Sequence, residues 1–189
     1  MSSAQILFVR LLKDERRMQA PTHFLAGVLI QKSVDKIVSV RFRPVITASL
    51  AVISHGFLDK LARLTYHPPK ALPNDWLWIA WHSIVALMTI GVLYKRWRDY
   101  KLGITFSSLP DLDWIIVRPM GYLFPQVLVF KRPILHELLS TILNLFPPFK
   151  ILDRLPNWTQ ERKGIIVEIV LLCLLIAALR VKSVKKVNN

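Results

Sequence analysis

The stretch from Asp75 to Tyr94 narrows what this chain can become more than any other. Trp76, Trp78 and Trp81 crowd one end, as in the aromatic belt of a membrane interface, and the remainder is apolar over the length of a bilayer-crossing helix. Asp75 stands at the cap position. Four further apolar segments accompany it. Residues 20–31 are short for a span, since about 30 Å of hydrocarbon takes roughly 20 helical residues. They form a re-entrant or interfacial helix, or extend through Val34, Ile37 and Val38. Residues 44–64 begin at Pro44, a good first-turn residue, and stop before Pro68-Pro69 and Pro73. Residues 102–117 are interrupted by Pro110, and residues 164–179 precede a basic tail. Residues 133–146, bounded by Pro133 and Pro147-Pro148, predict an interfacial or half-buried helix. The expected fold class is an all-α integral membrane helical bundle of about four spanning helices plus short interfacial or re-entrant helices.

Composition agrees with that expectation. Of 189 residues 53% are apolar and only 20% charged, too greasy for a soluble domain of this length. Net charge is +14, which first suggests nucleic acid. The basic residues, however, lie in short clusters flanking apolar runs: Lys95, Arg96, Arg98 and Lys101, then Arg180, Lys182, Lys185 and Lys186. That placement fits anchoring beside anionic lipid headgroups, so the expected partner is the bilayer and no nucleic acid. Residues 1–17 contain no signal-peptide core and read as an N-terminal extension outside the fold, with Met18 an alternative start. Residues 18–189 read as a single helical membrane domain.

Within this apolar sequence the few reactive side chains stand out: His23, His55 with Asp59, Asp111 with Asp113, His136 and Glu168. Ionisable groups in membrane segments are costly and usually face a partner, a cavity or a metal. If the spans alternate, with the loop 32–43, the loop 95–101 and the basic tail on one side, nearly all of these groups collect at the opposite face. Cys173 is the only cysteine, so any metal must be held by His, Asp or Glu.

Each motif also has a plain structural reading. His55-x-x-x-Asp59 puts both side chains on one helix face, able to bind one cation or to form a buried hydrogen-bonded pair. Asp111-x-Asp113 after Pro110 can supply ligands and a base, or cap a helix. Thr22 explains itself as a cap and leaves His23 unexplained, while His136-Glu137 offers a further nitrogen and carboxylate. Glu168, flanked by Ile165-Ile166-Val167 and Ile169-Val170-Leu171, is a ligand, a general base or a partner for Arg162 or Lys163. His82 reads as a belt residue and His67 as a loop histidine.

Thr22-His23 before Gly27, His55-x-x-x-Asp59 followed by Tyr66, and Pro110-Asp111-Leu112-Asp113 together resemble the membrane-bound metal-dependent hydrolases, the YdjM-like family of bacterial inner-membrane proteins. The resemblance runs in pieces over residues 18–140 and implies His23, His55, Asp59, Asp111 and Asp113 as the matching polar positions. Leu135-His136-Glu137 with Ser140 stands where that family carries a longer His-Arg-x-x-Thr-His-Ser-like stretch. The order of the His-x-x-x-Asp and Pro-Asp-x-Asp motifs is also the reverse of the family's.

The expected function is therefore metal-dependent hydrolysis at the membrane surface, on a phosphoester or lipid-derived substrate. The metal ligands would be His23, His55, Asp59, Asp111, Asp113 and His136, with zinc expected first and manganese or magnesium as alternatives. Asp113 or Glu168 would accept the proton from water. The competing expectation is a non-enzymatic membrane scaffold or a proton- or ion-handling protein, its His and Asp residues hydrogen-bonded between helices.

Overall fold

A computed structural model describes residues 19–68, 75–113 and 134–180. The expected N-terminal extension, the basic tail beyond Arg180 and the Trp114–Val117 end of the fourth apolar run lie outside the described residues. What is described is all-helical: α1 (Ala20–Ile37), α2 (Arg43–Leu61) with a 3-10 turn (Ala62–Leu64), α3 (Trp76–Ser108) with a second 3-10 turn (Leu109–Asp111), α4 (Ile134–Asn144), α5 (Pro147–Leu152) and α6 (Lys163–Arg180). Helix starts follow local chemistry. Proline occupies the first turn of α1, α2 and α5, where its missing N–H costs nothing. The Asp75 carboxylate accepts the Trp78 N–H at 3.1 Å and caps α3.

Two helices among the described residues are long and apolar enough to cross a membrane, Arg43–Leu64 and Trp76–Asp111. α1 carries Lys32, Asp35 and Lys36, and α6 carries Lys163, Glu168 and Arg180, so neither matches those two in composition. The expected loop at 95–101 is helical instead. α3 runs through it to a single non-helical residue, Tyr100 (φ −129°, ψ 34°). That kink separates the backbone C=O of Asp99 from the N–H of Gly103, which an unbroken helix would pair. The Gln31 amide of α1 fills the gap: its Nε2 donates to Asp99 O at 3.3 Å, and its Oε1 accepts from Gly103 N at 2.8 Å. Met88, Val92 and Leu93 before the kink and Ile104 after it pack on one cluster with Leu25, Val28 and Leu172.

α1 sits at the centre, against α2, α3 and α6. Gly27 and Gly103 let α1 and α3 meet backbone to backbone, since a Cβ on either would strike the other's carbonyl. Gly56 does the same for α2 and α4, where a Cβ would strike Leu143 and Leu139. These close approaches bring the ends of α1, α2, α3 and α4 together. Inside the bundle lie Thr22, His23, Thr47, His55, Asp59, Ser107 and Glu168, while Ile53, Phe57, Leu87, Ile90, Ile166 and Leu174 point outward.

Candidate metal centre

Four elements deliver the site. His23 comes from the first turn of α1, His55 and Asp59 from adjacent turns of α2, Asp111 from the 3-10 turn after α3, and His136 from the first turn of α4. Asp59 is the hub. Its Oδ1 lies 3.3 Å from His23 Nε2, and its Oδ2 lies 3.0 Å from His55 Nε2 and 3.4 Å from His136 Nε2. Asp111 Oδ1 stands 3.8 Å from His55 Nε2. His23, His55 and Asp59 are buried, whereas His136 is 22% and Asp111 29% exposed. Access to the cluster is therefore from the His136 and Asp111 side.

The tautomer of His55 follows from its partner. Nδ1 sits 2.7 Å from the Ser107 carbonyl oxygen, which can only accept, so Nδ1 carries a hydrogen. In the neutral ring, Nε2 then presents its lone pair to Asp59. The His23 and His55 rings stack at 4.1 Å, and His136 meets His55 edge-on at 5.7 Å. Two overlapping triads are close enough to share an ion, His23–His55–Asp111 and His55–Asp59–His136. Both need the one free nitrogen of His55, so the cluster has room for one ion bound through it. Ligands about 2.0–2.1 Å from a tetrahedral ion lie about 3.3–3.4 Å apart. The observed separations of 3.0, 3.3, 3.4 and 3.8 Å bracket that spacing.

No family model, curated protein or solved structure matches this chain. Its chemistry is therefore legible only in the geometry of the cluster.

Of the sequence-predicted site residues, His23, His55, Asp59, Asp111 and His136 come together. Asp113 and Glu168 do not join either triad. Asp113 Oδ2 accepts the backbone N–H groups of Leu135 and, at 3.2 Å, His136. It caps α4 and fixes the turn bearing His136 to the turn bearing Asp111, a positioning role that the capping reading of Asp-x-Asp anticipates. Glu168 lies on the buried face of α6, with the backbone of Gln19 at the entry to α1 facing it. Neither of its oxygens has an aligned hydrogen-bond partner. His82 bonds Trp78 O and stacks on Trp78 within its own helix, while the His67 ring contacts Thr65 and its backbone N–H donates to Thr159 O at 3.0 Å.

Sequence reasoning missed Ser107, whose contribution is a backbone carbonyl and leaves no mark in residue identity. It also missed Lys60 and Arg63. Beside Asp59 and His136 opens a cavity of about 260 Å³, lined also by Lys60, Arg63, Ser140 and Asn144. The Asp59-to-Arg63 spacing of one helical turn was the available signal.

Proposed function

We propose that the protein is a membrane-embedded metal-dependent hydrolase in which His55, Asp59 and His136 hold one divalent cation beside the cavity, for a phosphoester or lipid-derived substrate. The observation that carries this reading is the crowding around Asp59. His55 Nε2 and His136 Nε2 face one carboxylate oxygen at 3.0 and 3.4 Å, and His23 Nε2 faces the other at 3.3 Å. Lone pairs so close need a proton or a cation between them. His23 and His136 can meet Asp59 as neutral Nε2–H donors, but His55, its hydrogen held on Nδ1 by Ser107, would have to be a buried imidazolium stacked 4.1 Å from His23. One cation satisfies the set instead. Two imidazoles with a carboxylate favour zinc over magnesium, which prefers an all-oxygen shell.

When bound, such an ion lowers the pKa of a coordinated water and offsets developing negative charge. The chain's own residues do the rest. The Ser107 carbonyl holds His55 in the tautomer that frees Nε2, and His23 steadies Asp59 through Oδ1. Asp111, on the exposed flank, is the group placed to take a proton from water, rather than Asp113 or Glu168.

The membrane part of the proposal has α1, α2, the Trp76–Asp99 part of α3 and α6 as four crossings of a bacterial inner membrane. Supporting it is the inversion of the usual pattern, with histidines and carboxylates inside and Leu87 (68% exposed) and Ile166 (65%) outside. The bacterial location is proposed on the sequence resemblance to the YdjM-like family alone.

The test is turnover. Zinc-loaded protein in lipid nanodiscs should hydrolyse at least one member of a panel of aryl phosphates, phosphodiesters and lipid phosphates. Activity should vanish on chelation, return on reloading and be lacking in Asp59→Asn. Metal-loaded protein that is inert on the whole panel would move the assignment to the scaffold or ion-handling alternative.

A further inference from the structure

The cavity beside the cluster contains two cations in unlike states. Lys60 Nζ is fully engaged, 2.7 Å from Asn144 Oδ1 and 2.8 Å from both oxygens of Asp153. Arg63 is not. Its Nε is buried and has no hydrogen-bond acceptor, and no carboxylate among the described residues pairs with its guanidinium. Arg63 as a whole is half-buried, and the unpartnered Nε edge of its guanidinium is the part withdrawn from solvent, where a donor normally finds an acceptor.

The anion that the planar guanidinium fork suits is an oxyanion with two oxygens to offer, phosphate above all. Arg63, in the 3-10 turn that continues α2, lines the same cavity as Asp59 four residues before it. The same wall therefore presents a metal ligand at one end and the fork at the other. Ser140 and Asn144, from α4, add hydroxyl and amide groups to the lining. At about 260 Å³ the space is far larger than the roughly 30 Å³ of one water.

We propose that this cavity is a phosphate subsite gripped by Arg63, which commits the substrate to a phosphate-bearing molecule rather than a neutral lipid ester. The proposal rests on the hydrolase reading for its role in turnover, but not for binding itself. Lys60, already neutralised by Asp153, shapes the wall and supplies little free charge. The phosphate can arrive on a lipid headgroup or on a water-soluble ester.

Equilibrium dialysis of radiolabelled inorganic phosphate against full-length, zinc-loaded protein in detergent tests it, with zinc content measured on the same samples. Wild type should bind phosphate saturably. Arg63→Gln should bind about tenfold or more weakly with zinc content unchanged. Arg63→Lys, which keeps the charge but loses the fork, should fall between them, and it decides the matter if Arg63→Gln loses its zinc. Both variants binding as wild type does, or zinc-loaded wild type binding no phosphate, would overturn the subsite and leave the metal centre standing. Arg63-dependent phosphate binding by protein that takes up no zinc would do the opposite. Displacement of bound phosphate by short-chain phosphatidic acid at lower concentration than by glycerol phosphate would name the lipid as the source. The reverse order would name the soluble ester.

Discussion

Two carboxylates lie deep in this bundle, each in an apolar helix. Asp59, 8% exposed, is ringed by His23, His55 and His136, with Asp111 close by. Glu168, fully buried, faces a stretch of backbone and no histidine ligand. In the sequence both are acids in apolar runs, Asp59 one turn after His55 and next to Lys60, Glu168 among Ile and Val. What separates them is what the neighbouring helices supply: lone pairs directed at a common point around Asp59, and close packing around Glu168. Burial of an acid is thus not in itself the mark of a site. Convergence of other donors on it is.

The largest expected effect comes from removing the hub. Asp59→Asn should reduce bound zinc to less than about a tenth of the wild-type content in protein that still folds, while Glu168→Gln should keep it. If both variants keep their zinc, the contrast between the two acids collapses. His55→Ala should match Asp59→Asn, because both triads use His55.

Acid should separate the two regions next. Protons compete with the metal for imidazole nitrogens, so zinc retention should fall steadily below about pH 6 and be complete above about pH 7.5. Dialysis at stepped pH with elemental analysis reads this directly. Zinc retained unchanged at about pH 4.5 would exclude histidine ligation.

Positioning groups should matter less than ligands. Asp113→Ala removes the tie between the Asp111 turn and the start of α4, and should weaken zinc affinity about 10- to 100-fold while costing about 1 kcal/mol of stability. Zinc competition with a calibrated chelator and thermal unfolding measure the two parts. Gly103→Val tests the helix contact rather than the ligands. It should destabilise by about 1–3 kcal/mol, since the new side chain meets the Gly27 carbonyl.

Glu168→Gln should give the smallest change of all, with zinc content and phosphate binding as in wild type. Loss of turnover with zinc intact in that variant would return Glu168 to the role of proton acceptor that the sequence suggested.

Much of the helix layout was legible. Apolar runs bounded by Pro44, Pro68-Pro69, Pro133 and Pro147-Pro148 correspond closely to α2, α4 and the entry to α5, because proline and amphipathic breaks act locally. The kink at Tyr100 was not legible, since a basic cluster reads equally well as a loop or an exposed helix, and the Gln31 bridge that satisfies it comes from 68 residues away. The gathering of His and Asp at one end followed from alternating the spans. Their separate duties did not. Asp111 and Asp113 are chemically identical and two residues apart, yet one faces His55 and the other caps α4, a difference set by where the turn points each side chain.

The most direct measurement is bound-metal content by elemental mass spectrometry on detergent-purified wild type beside Asp59→Asn and His55→Ala. About one zinc per chain in wild type, lost in folded variants, is the expected result. Wild type that stays metal-free after chelator-free purification and zinc add-back would contradict the metal centre.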